Sequence, residues 1–429
     1  MAETDIPKKE SGSALVPNLR FSEFRGAEEW KPISLEEAST PVTERVGERN
    51  LTPVSISAGI GFVPQATKFG RDISGKQYQL YTRVRDGDFV FNKGNSLKFP
   101  QGCIYQLQGW GQVAAPNVFI CFRLKKGYSD GFFQQCFEQN QHGKQLRRHI
   151  TSGARSNGLL NISKETFFSV EILAPSLAEQ QKIASCLSSL DELIVAQAQK
   201  VEALKTHKKG LMQQLFPREG EAQPRLRLPE FQASGDWECQ TLADIARISS
   251  GTTPLRSNAE FFAGGTIPWV KTTDLNNSFI TQTEECITPK ARARINPAGS
   301  VLVAMYGGFK QIGRTGCLVF PAATNQALSV LVLDQNRALP VYVLAWLNAK
   351  VEDWKRIASS SRKDPNITGT DVARFPISLP SPAEQQRIAS CLSNLDALLT
   401  AETQKLESLK THKKGLMQQL FPFPVGDEI

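Results

Sequence analysis

A chain of 429 residues, 40% hydrophobic and 21% charged, is longer than one ordinary domain and has room for two separate cores. Its net charge of +8 suits a polyanionic partner without establishing one, because many soluble proteins carry such an excess. No apolar run approaches the roughly 18 residues of a membrane span, the eight cysteines form no Cys-x-x-Cys pair, and the four histidines form no His-Glu-x-x-His arrangement, which argues against a membrane helix, a zinc ribbon and the commonest metalloenzyme motif.

Residues 1–15 form a polar tail without the apolar centre of a signal peptide, so a cytoplasmic address with reduced thiols is expected. A first block, 16–174, opens with "PNLRFSEFRGAEEW" at Pro17. Within it, "GKQYQLYTRVRDGDFVFNKG" alternates apolar and polar residues around Asp86-Gly87, which predicts two strands paired across that turn. "GCIYQLQGWGQVAAPNVFICFRLKKG" reads the same way, and "DGFFQQCFEQNQHGKQLRRHI" predicts a helix. Two phosphate-loop look-alikes fall in this block. Gly70 to Lys76 reads "GRDISGK", but Gln77 stands where a magnesium-binding Ser or Thr belongs, and an alternating strand, not a helix, is expected to follow. Gly109, Gly111 and Ala114 match a dinucleotide fingerprint in letters, but Pro116 and the strand after it remove the helix that would hold a pyrophosphate.

The segment 175–217, "PSLAEQQKIASCLSSLDELIVAQAQKVEALKTHKKGLMQQLFP", returns at 380–422 with about 33 of 43 residues identical. Ser176 with Glu179, and Ser381 with Glu384, fit a capping box in which hydroxyl and carboxylate each satisfy a backbone N–H. Pro382 falls at the first helical position. Apolar residues then recur in steps of three and four: Ile183, Leu187, Leu190, Ile194, Val201, Leu204, Leu211 and Leu215, matched by Ile388, Leu392, Leu395, Leu399, Leu406, Leu409, Leu416 and Leu420. This stripe predicts a coiled-coil seam on helices about 57 Å long at 1.5 Å per residue. Gln197 and Lys208, matched by Glu402 and Lys413, interrupt it with polar groups that can fix register. Gly210 and Gly415 loosen the last turns, and Pro217 and Pro422 end them.

The second block, 218–379, starts with a fainter copy of the first opening, "PRLRLPEFQASGDW" at Pro224. Beyond those residues the two blocks have little sequence in common. Here "GSVLVAMYGG", "TGCLVF" and "LSVLVL" predict short strands, and "PVYVLAWLNAKVEDWKRIASS" predicts a helix. Residues 423–429 form a tail. The expected fold class is α/β (α+β): two globular blocks held by two long helices that bury their seams on each other. If these run antiparallel, a pseudo-twofold axis relates the halves and the blocks sit at opposite ends of a rod.

No Asn-Pro-Pro-Tyr-type methyltransferase signature and no defensible Ser–His–Asp or paired-carboxylate site is present, so the chain is not expected to catalyse a reaction or bind a metal. This order of block, helix, block, helix resembles the specificity subunits of type I restriction–modification systems over residues 16 to 422. The likeness is carried by "PSxAEQQxIASCLSxLD" and "LKTHKKGLMQQLFP", each present twice, and by "ISSGTTP", "IPWVKTTDL", "SVLVAMYGG", "ATNQAL" and "SGARSNGLLNISKE". The resemblance implies two target-recognition domains, each reading one half of a split DNA sequence, with the helices setting the distance between them. It also implies two adenine methyltransferase subunits that bind S-adenosylmethionine and two motor–nuclease subunits that use ATP and Mg2+, in a bacterial or archaeal cytoplasm; this chain itself would bind none of these cofactors. Because the blocks differ, the two half-sites should differ too. Rival readings are a methyltransferase or nuclease with its own recognition domains, which lacks the motifs it needs, and a coiled-coil scaffold outside restriction–modification.

Double-stranded DNA would be met by Lys, Arg, Asn and Gln in glycine-rich loops and at strand ends. In the first block the candidates are Lys93, Asn95, Lys98, Arg155 and Asn157, followed by Lys68, Arg71 and Arg83. In the second they are Thr252, Thr253, Lys271, Thr272, Tyr306, Lys310, Arg362, Lys363 and Asn366. Any one basic residue is ordinarily a solvated charge, and Trp269 and Tyr306 fit a core equally well, so the clusters carry the expectation. The outer helix faces, including the basic "LKTHKKG" stretches at 204–210 and 409–415, are the expected docking surface for partners, although a solvated coiled-coil face has the same composition.

Overall fold

The computed structural model describes residues 15–94, 99–150, 160–359 and 366–422. They form two compact units, the first from residues up to Ala196 together with those from Leu406, the second from Gln197–Lys405. In chain order the first block contributes β1 (Lys31–Ser34), α1 (Leu35–Ala38), β2 (Ser39–Pro41), β3 (Thr52–Ser57), β4 (Gly61–Pro64), α2 (Gln65–Phe69), β5 (Thr82–Arg85), β6 (Phe89–Asn92), β7 (Cys103–Gln106), β8 (Gln112–Ala115), β9 (Ile120–Leu124), α3 (Asp130–Glu138), α4 (Gln141–Leu146), α5 (Lys164–Phe168) and β10 (Glu171–Ala174). The helix α6 (Leu177–Leu215) follows. The second block contributes β11 (Glu238–Thr241), α7 (Leu242–Ile245), β12 (Ala246–Ser250), β13 (Ile267–Val270), β14 (Ser278–Ile280), β15 (Glu285–Ile287), β16 (Val301–Ala304), β17 (Thr315–Leu318), β18 (Ala323–Thr324), β19 (Leu328–Leu333), α8 (Pro340–Ala349), α9 (Val351–Ser359), α10 (Gly369–Arg374) and β20 (Pro376–Leu379), before α11 (Pro382–Leu420).

In the first unit one sheet has the order β2-β9-β6-β7 and another β4-β3-β8-β5, with β1 paired to β10. Successive side chains of a strand point to opposite faces, and β6 is buried on both. Phe89 and Phe91 join a core with Trp30, Phe122, Phe132 and Phe167, while Val90 joins a second core with Val54, Val84 and Val113. The expected hairpin around Asp86-Gly87 is therefore corrected: β5 pairs with β8, and β6 with β7 and β9. The turn carries the chain from one sheet to the other, because an apolar run buried on both faces needs cover that its neighbour in sequence cannot supply. Buried Asp88 fixes the crossing by accepting from Arg85 N at 2.7 Å and Arg123 Nε at 2.6 Å. Likewise β7 and β8, expected to pair, lie in different sheets. Each long helix predicted inside a block is two helices. Asn140, at φ 58°, separates α3 from α4, and Lys350 separates α8 from α9, which lets Trp354 stack on Phe375 at 3.6 Å. The strand expected directly after Gly70–Lys76 is corrected too: a 3-10 turn, Gly75–Leu80, begins within that segment, and β5 starts only at Thr82.

The second unit has a sheet of order β12-β19-β16-β17-β14, a smaller sheet β15-β13-β18, and β11 paired to β20. Its run β12-β19-β16-β17 repeats the order β2-β9-β6-β7, and β11–β20 repeats β1–β10. The blocks thus share a frame that their sequences do not display.

Each unit anchors the start of a long helix in the same manner. Ser176 Oγ accepts from Glu179 N, and Ser381 Oγ from Glu384 N, as expected of a cap. The carboxylates, expected to return to the cap N–H, are held instead by arginine. Arg20 donates to both Glu179 oxygens at 2.8 and 2.6 Å, and Arg227 to both Glu384 oxygens at 2.9 and 2.8 Å. The remaining guanidinium donors meet Ala27 O and Glu28 O in one unit, and Ser234 O and Gly235 O in the other. Both carboxylates are 1% exposed. A bidentate pair buried with its other donors satisfied matches the planar geometry of guanidinium and carboxylate.

All sixteen seam positions of α6 and α11 are buried or half-buried. In the first unit Ile183 and Leu187 share a core with Leu416, Leu420 and Phe421, and Lys413 pairs with Asp191 at 2.7 Å. In the second, Leu211, Leu215 and Phe216 share a core with Ile388 and Leu392, Lys208 pairs with Asp396, and Gln197 donates to Glu402 O at 2.9 Å and Oε2 at 2.7 Å. The polar interruptions of the seam therefore all have partners. No helix among the described residues is long and apolar enough to cross a membrane.

Candidate nucleic-acid interface

In the second unit, antiparallel pairing of β19 with β12 and β16, and of β16 with β17, brings the end of β12, the start of β19, the end of β16 and the start of β17 to one end of the sheet. The loops there are stitched by backbone. Thr252 N donates to Thr324 O at 2.9 Å, Met305 N to Ala327 O at 2.9 Å, and Ile367 N to Met305 O at 2.7 Å. Thr253 Oγ1 accepts from Gln326 N at 3.4 Å, and Thr252 O accepts from Trp269 Nε1 at 3.3 Å. Thr252, Thr253, Tyr306, Lys310 and Asn366 thus fall in one continuous rim. Tyr306 is 37% exposed, whereas Trp269 is core at 1%. Gly307 at φ 120° and Gly308 at φ 84° let the chain after β16 turn sharply and project its side chains.

Lys271 and Thr272 follow β13. Lys271 is 18% exposed and sits between Glu284 at 3.0 Å and Glu285 at 2.7 Å. Arg256 also clasps Glu285, at 2.6 Å, and lies over the Phe262 and Trp269 rings. Arg256 first and Lys271 second hold the Glu285 carboxyl down at about 2. Arg362 and Lys363 lie outside the described residues.

In the first unit Lys93 follows β6 as Met305 follows β16, and its carbonyl accepts from Leu160 N at 2.9 Å, as that of Met305 does from Ile367 N. Lys93 Nζ donates to Ile162 O at 3.2 Å. Lys68 Nζ reaches Ser55 Oγ at 3.0 Å and Ile56 O at 3.3 Å, and Asn92 Nδ2 reaches the same Ile56 carbonyl at 3.0 Å. Lys68 and Lys93 are therefore gathered at the end of β6, and Arg71 is exposed just beyond α2. Arg83 lies apart on β5, bound to Glu44 at 2.6 Å and Gln112 at 2.7 Å. Asn95, Lys98, Arg155 and Asn157 lie outside the described residues.

Sequence reasoning missed apolar and amide members of these rims. Phe309 is 49% exposed beside Lys310, and Ile60 is 76% exposed at the turn between β3 and β4. Gln326 is exposed and bonded to the Thr253 hydroxyl. The signals were present in the projecting "YGGFK" and in "ATNQAL", but apolar groups that touch thymine methyls look like core until burial is known. Among the described residues no cluster of three His, Cys, Asp or Glu is placed to hold a metal ion.

The family described as "Type I restriction modification DNA specificity domain" matches residues 111–206 and 234–411. The MjaIX specificity subunit of Methanocaldococcus jannaschii is 28% identical over 193 residues, 43% of this chain and 44% of that protein. The EcoR124I/EcoR124II specificity subunit of Escherichia coli is 25% identical over 205 residues, 46% of this chain and 50% of that one. The chain spans about half the length of these curated relatives. Its fold is similar to that of the solved S subunit from M. genitalium, with a TM-score of 0.59 and 14% identity over 96% of this chain and 100% of that one. A chain solved in a study of type I restriction–modification complex assembly gives a TM-score of 0.57 at 18% identity over 91% of this chain and 97% of that one.

Proposed function

This chain belongs to the type I restriction–modification DNA specificity family, and we propose that it is the non-catalytic subunit through which such a complex reads a bipartite, asymmetric DNA target. Residues 16–174 and 218–379 act as two target-recognition domains. Residues 175–217 and 380–422 act as an antiparallel coiled-coil spacer that relates the domains by a pseudo-twofold axis. The reading is carried by one observation: both units repeat the same strand order and the same loop closure, but present different side chains at that rim. DNA has local dyads, so equivalent frames suit two half-sites, and different rim residues give different half-sequences. The antiparallel spacer is supported by the contact order, since Asp191 meets Lys413 while Ile183 and Leu187 share a core with Leu416 and Leu420.

Lys68, Arg71 and Lys93 are assigned to phosphates, and Thr252, Thr253, Gln326, Tyr306, Phe309 and Lys310 to base edges and their flanks. Arg83 and Lys271, already balanced by carboxylates, contribute less. Two adenine methyltransferase subunits with S-adenosylmethionine and two motor–nuclease subunits with ATP and Mg2+ complete the assembly in the cytoplasm. Leu193 at 57% exposure, Val195 at 54% and Leu398 at 43% give the helices apolar outer positions suited to docking such partners.

The test is to express the chain with its methyltransferase subunit and map methylated adenines by sequencing. A split, asymmetric motif that disappears without this chain, and of which one half changes when 218–379 is exchanged for another block, is expected. Methylation at an unchanged motif after that exchange would refute the reading.

A further inference from the structure

The second unit contains a cleft of about 720 Å³ where the last turns of α6 face the end of α8. Its cationic lining is Lys205, Lys208, Lys209, Arg218 and Lys350, with Glu352 as the acid. Some of that charge is already used: Lys205 pairs with Glu202, Lys208 with Asp396, and Glu352 with Lys355. Lys350 Nζ rests on Pro217 O at 3.0 Å and over the Trp346 ring. Among the described residues Lys209 and the Arg218 guanidinium have no hydrogen bond or ion pair, although the Arg218 charge acts at longer range on Glu221 and helps to hold its carboxyl down, so both groups line the cleft without a direct partner.

The cleft opens at the same end of the sheet as the rim. Its wall includes Asn277, whose N–H donates to Thr315 O at 2.9 Å, and Asn348, whose amide bridges Thr315 Oγ1 at 2.5 Å and Asn277 O at 2.8 Å. Thr315 starts β17, beside the Tyr306 loop, and β14 lies at the sheet edge. From β12 to β14 is four strand spacings, about 19 Å at 4.8 Å each, the length of about five to six base pairs at 3.4 Å per step.

The first unit offers an internal comparison, because α11 carries the same "LKTHKKGLMQQLFP". Ser129 N meets Gln180 Oε1 there as Leu339 N meets Gln385 Oε1 here, which aligns α3 with α8. Glu138 then stands where Asn348 does, and it adds a second carboxylate to Lys413 at 3.4 Å; Asn140 stands where Lys350 does. Identical helix surfaces thus face an acid in one unit and a cation in the other.

We propose that the Lys209–Arg218–Lys350 cleft clamps backbone phosphates of the duplex that continues from the half-site read by the second unit, and that the first unit has no such clamp. The proposal rests on the DNA-reading assignment above. The test uses the full chain in complex with its methyltransferase subunit and a duplex carrying the mapped target. Lys209→Ala with Arg218→Ala is compared with Lys410→Ala with Lys414→Ala, which removes the same charge from the first unit. The first pair is expected to lower the slope of log affinity against log salt by about 2, at about 0.9 per phosphate, and to weaken matched and mismatched duplexes alike by tenfold or more. The second pair should leave the slope unchanged. Equal effects from both pairs, or no change in slope, would overturn the clamp. Loss of the methyltransferase subunit from the Lys209/Arg218 variant, with the slope retained, would overturn it too and assign the cleft to protein docking. If the unaltered complex shows no sequence preference but the slopes still differ, the half-site reading fails while the clamp stands.

Discussion

Arg20 and Arg227 each neutralise a carboxylate that is 1% exposed, so removing one partner strands the other's charge in a dry site. Arg227→Met is expected to destabilise its unit by about 3–5 kcal/mol, whereas Arg227→Met with Glu384→Leu should recover most of that loss. Denaturant unfolding of both variants measures the difference, and similar losses for single and double changes would contradict it. His142 acts through protons. It lies buried between Phe91 and Phe137, and burial pushes its imidazole down to about 4. Above the unfolded value near 6.5 both states hold it neutral. As pH falls from there the unfolded chain takes up a proton that the folded one refuses, and stability declines until about pH 4. The first unit should thus lose on the order of 3 kcal/mol across that window, and His142→Phe should flatten the decline in melting temperature. Residue roles of this kind are hidden from sequence. Glu179 and Glu384 read as helix caps, and nothing local indicates that each is held by an arginine more than 150 residues earlier.

Elements were legible where periodicity is long and repeated. Two 43-residue copies with one apolar stripe gave α6 and α11 to within a few residues. Period-2 alternation identified the strands of both blocks but not their partners, because alternation specifies which faces are buried and not which strand provides the cover. That is why the Asp86-Gly87 turn read as a hairpin. The shared strand order was illegible because backbone pairing is indifferent to which apolar residues line it, while the rims have diverged. One sequence feature of the helices has a direct test. A Cβ on Gly210 or Gly415 meets nothing within 4 Å, and both sit inside helices that continue to Leu215 and Leu420. Gly210→Ala and Gly415→Ala should each stabilise by up to about 1 kcal/mol, read as a rise in unfolding midpoint, with DNA affinity unchanged.

At the scale of the whole molecule the two units are not consecutive in sequence. The second is one stretch, Gln197–Lys405, whereas the first needs residues from Leu406 onward to complete its core. Leu420 and Phe421 pack with Trp30 and Phe132 there, with ring centroids of Phe421 and Phe132 5.4 Å apart. Ending the chain at Lys405 should therefore expose the first unit and spare the second. Hydrogen exchange resolved by peptide is the measurement: protection is expected to fall in β6, β9 and α3 but persist in β16 and β19. Equal loss in both units would show that the division is not one of stability.

The same interleaving imposes an order on synthesis. A nascent first unit leaves the ribosome with Ile183, Leu187, Trp30 and Phe132 in place but without the residues that cover them. The second unit must be translated in full before Leu416, Leu420 and Phe421 arrive, a wait of roughly 10 to 40 s at 5–20 residues per second. The half of the protein that is made first is thus the half that finishes folding last, and for that interval its uncovered core is a substrate for chaperones.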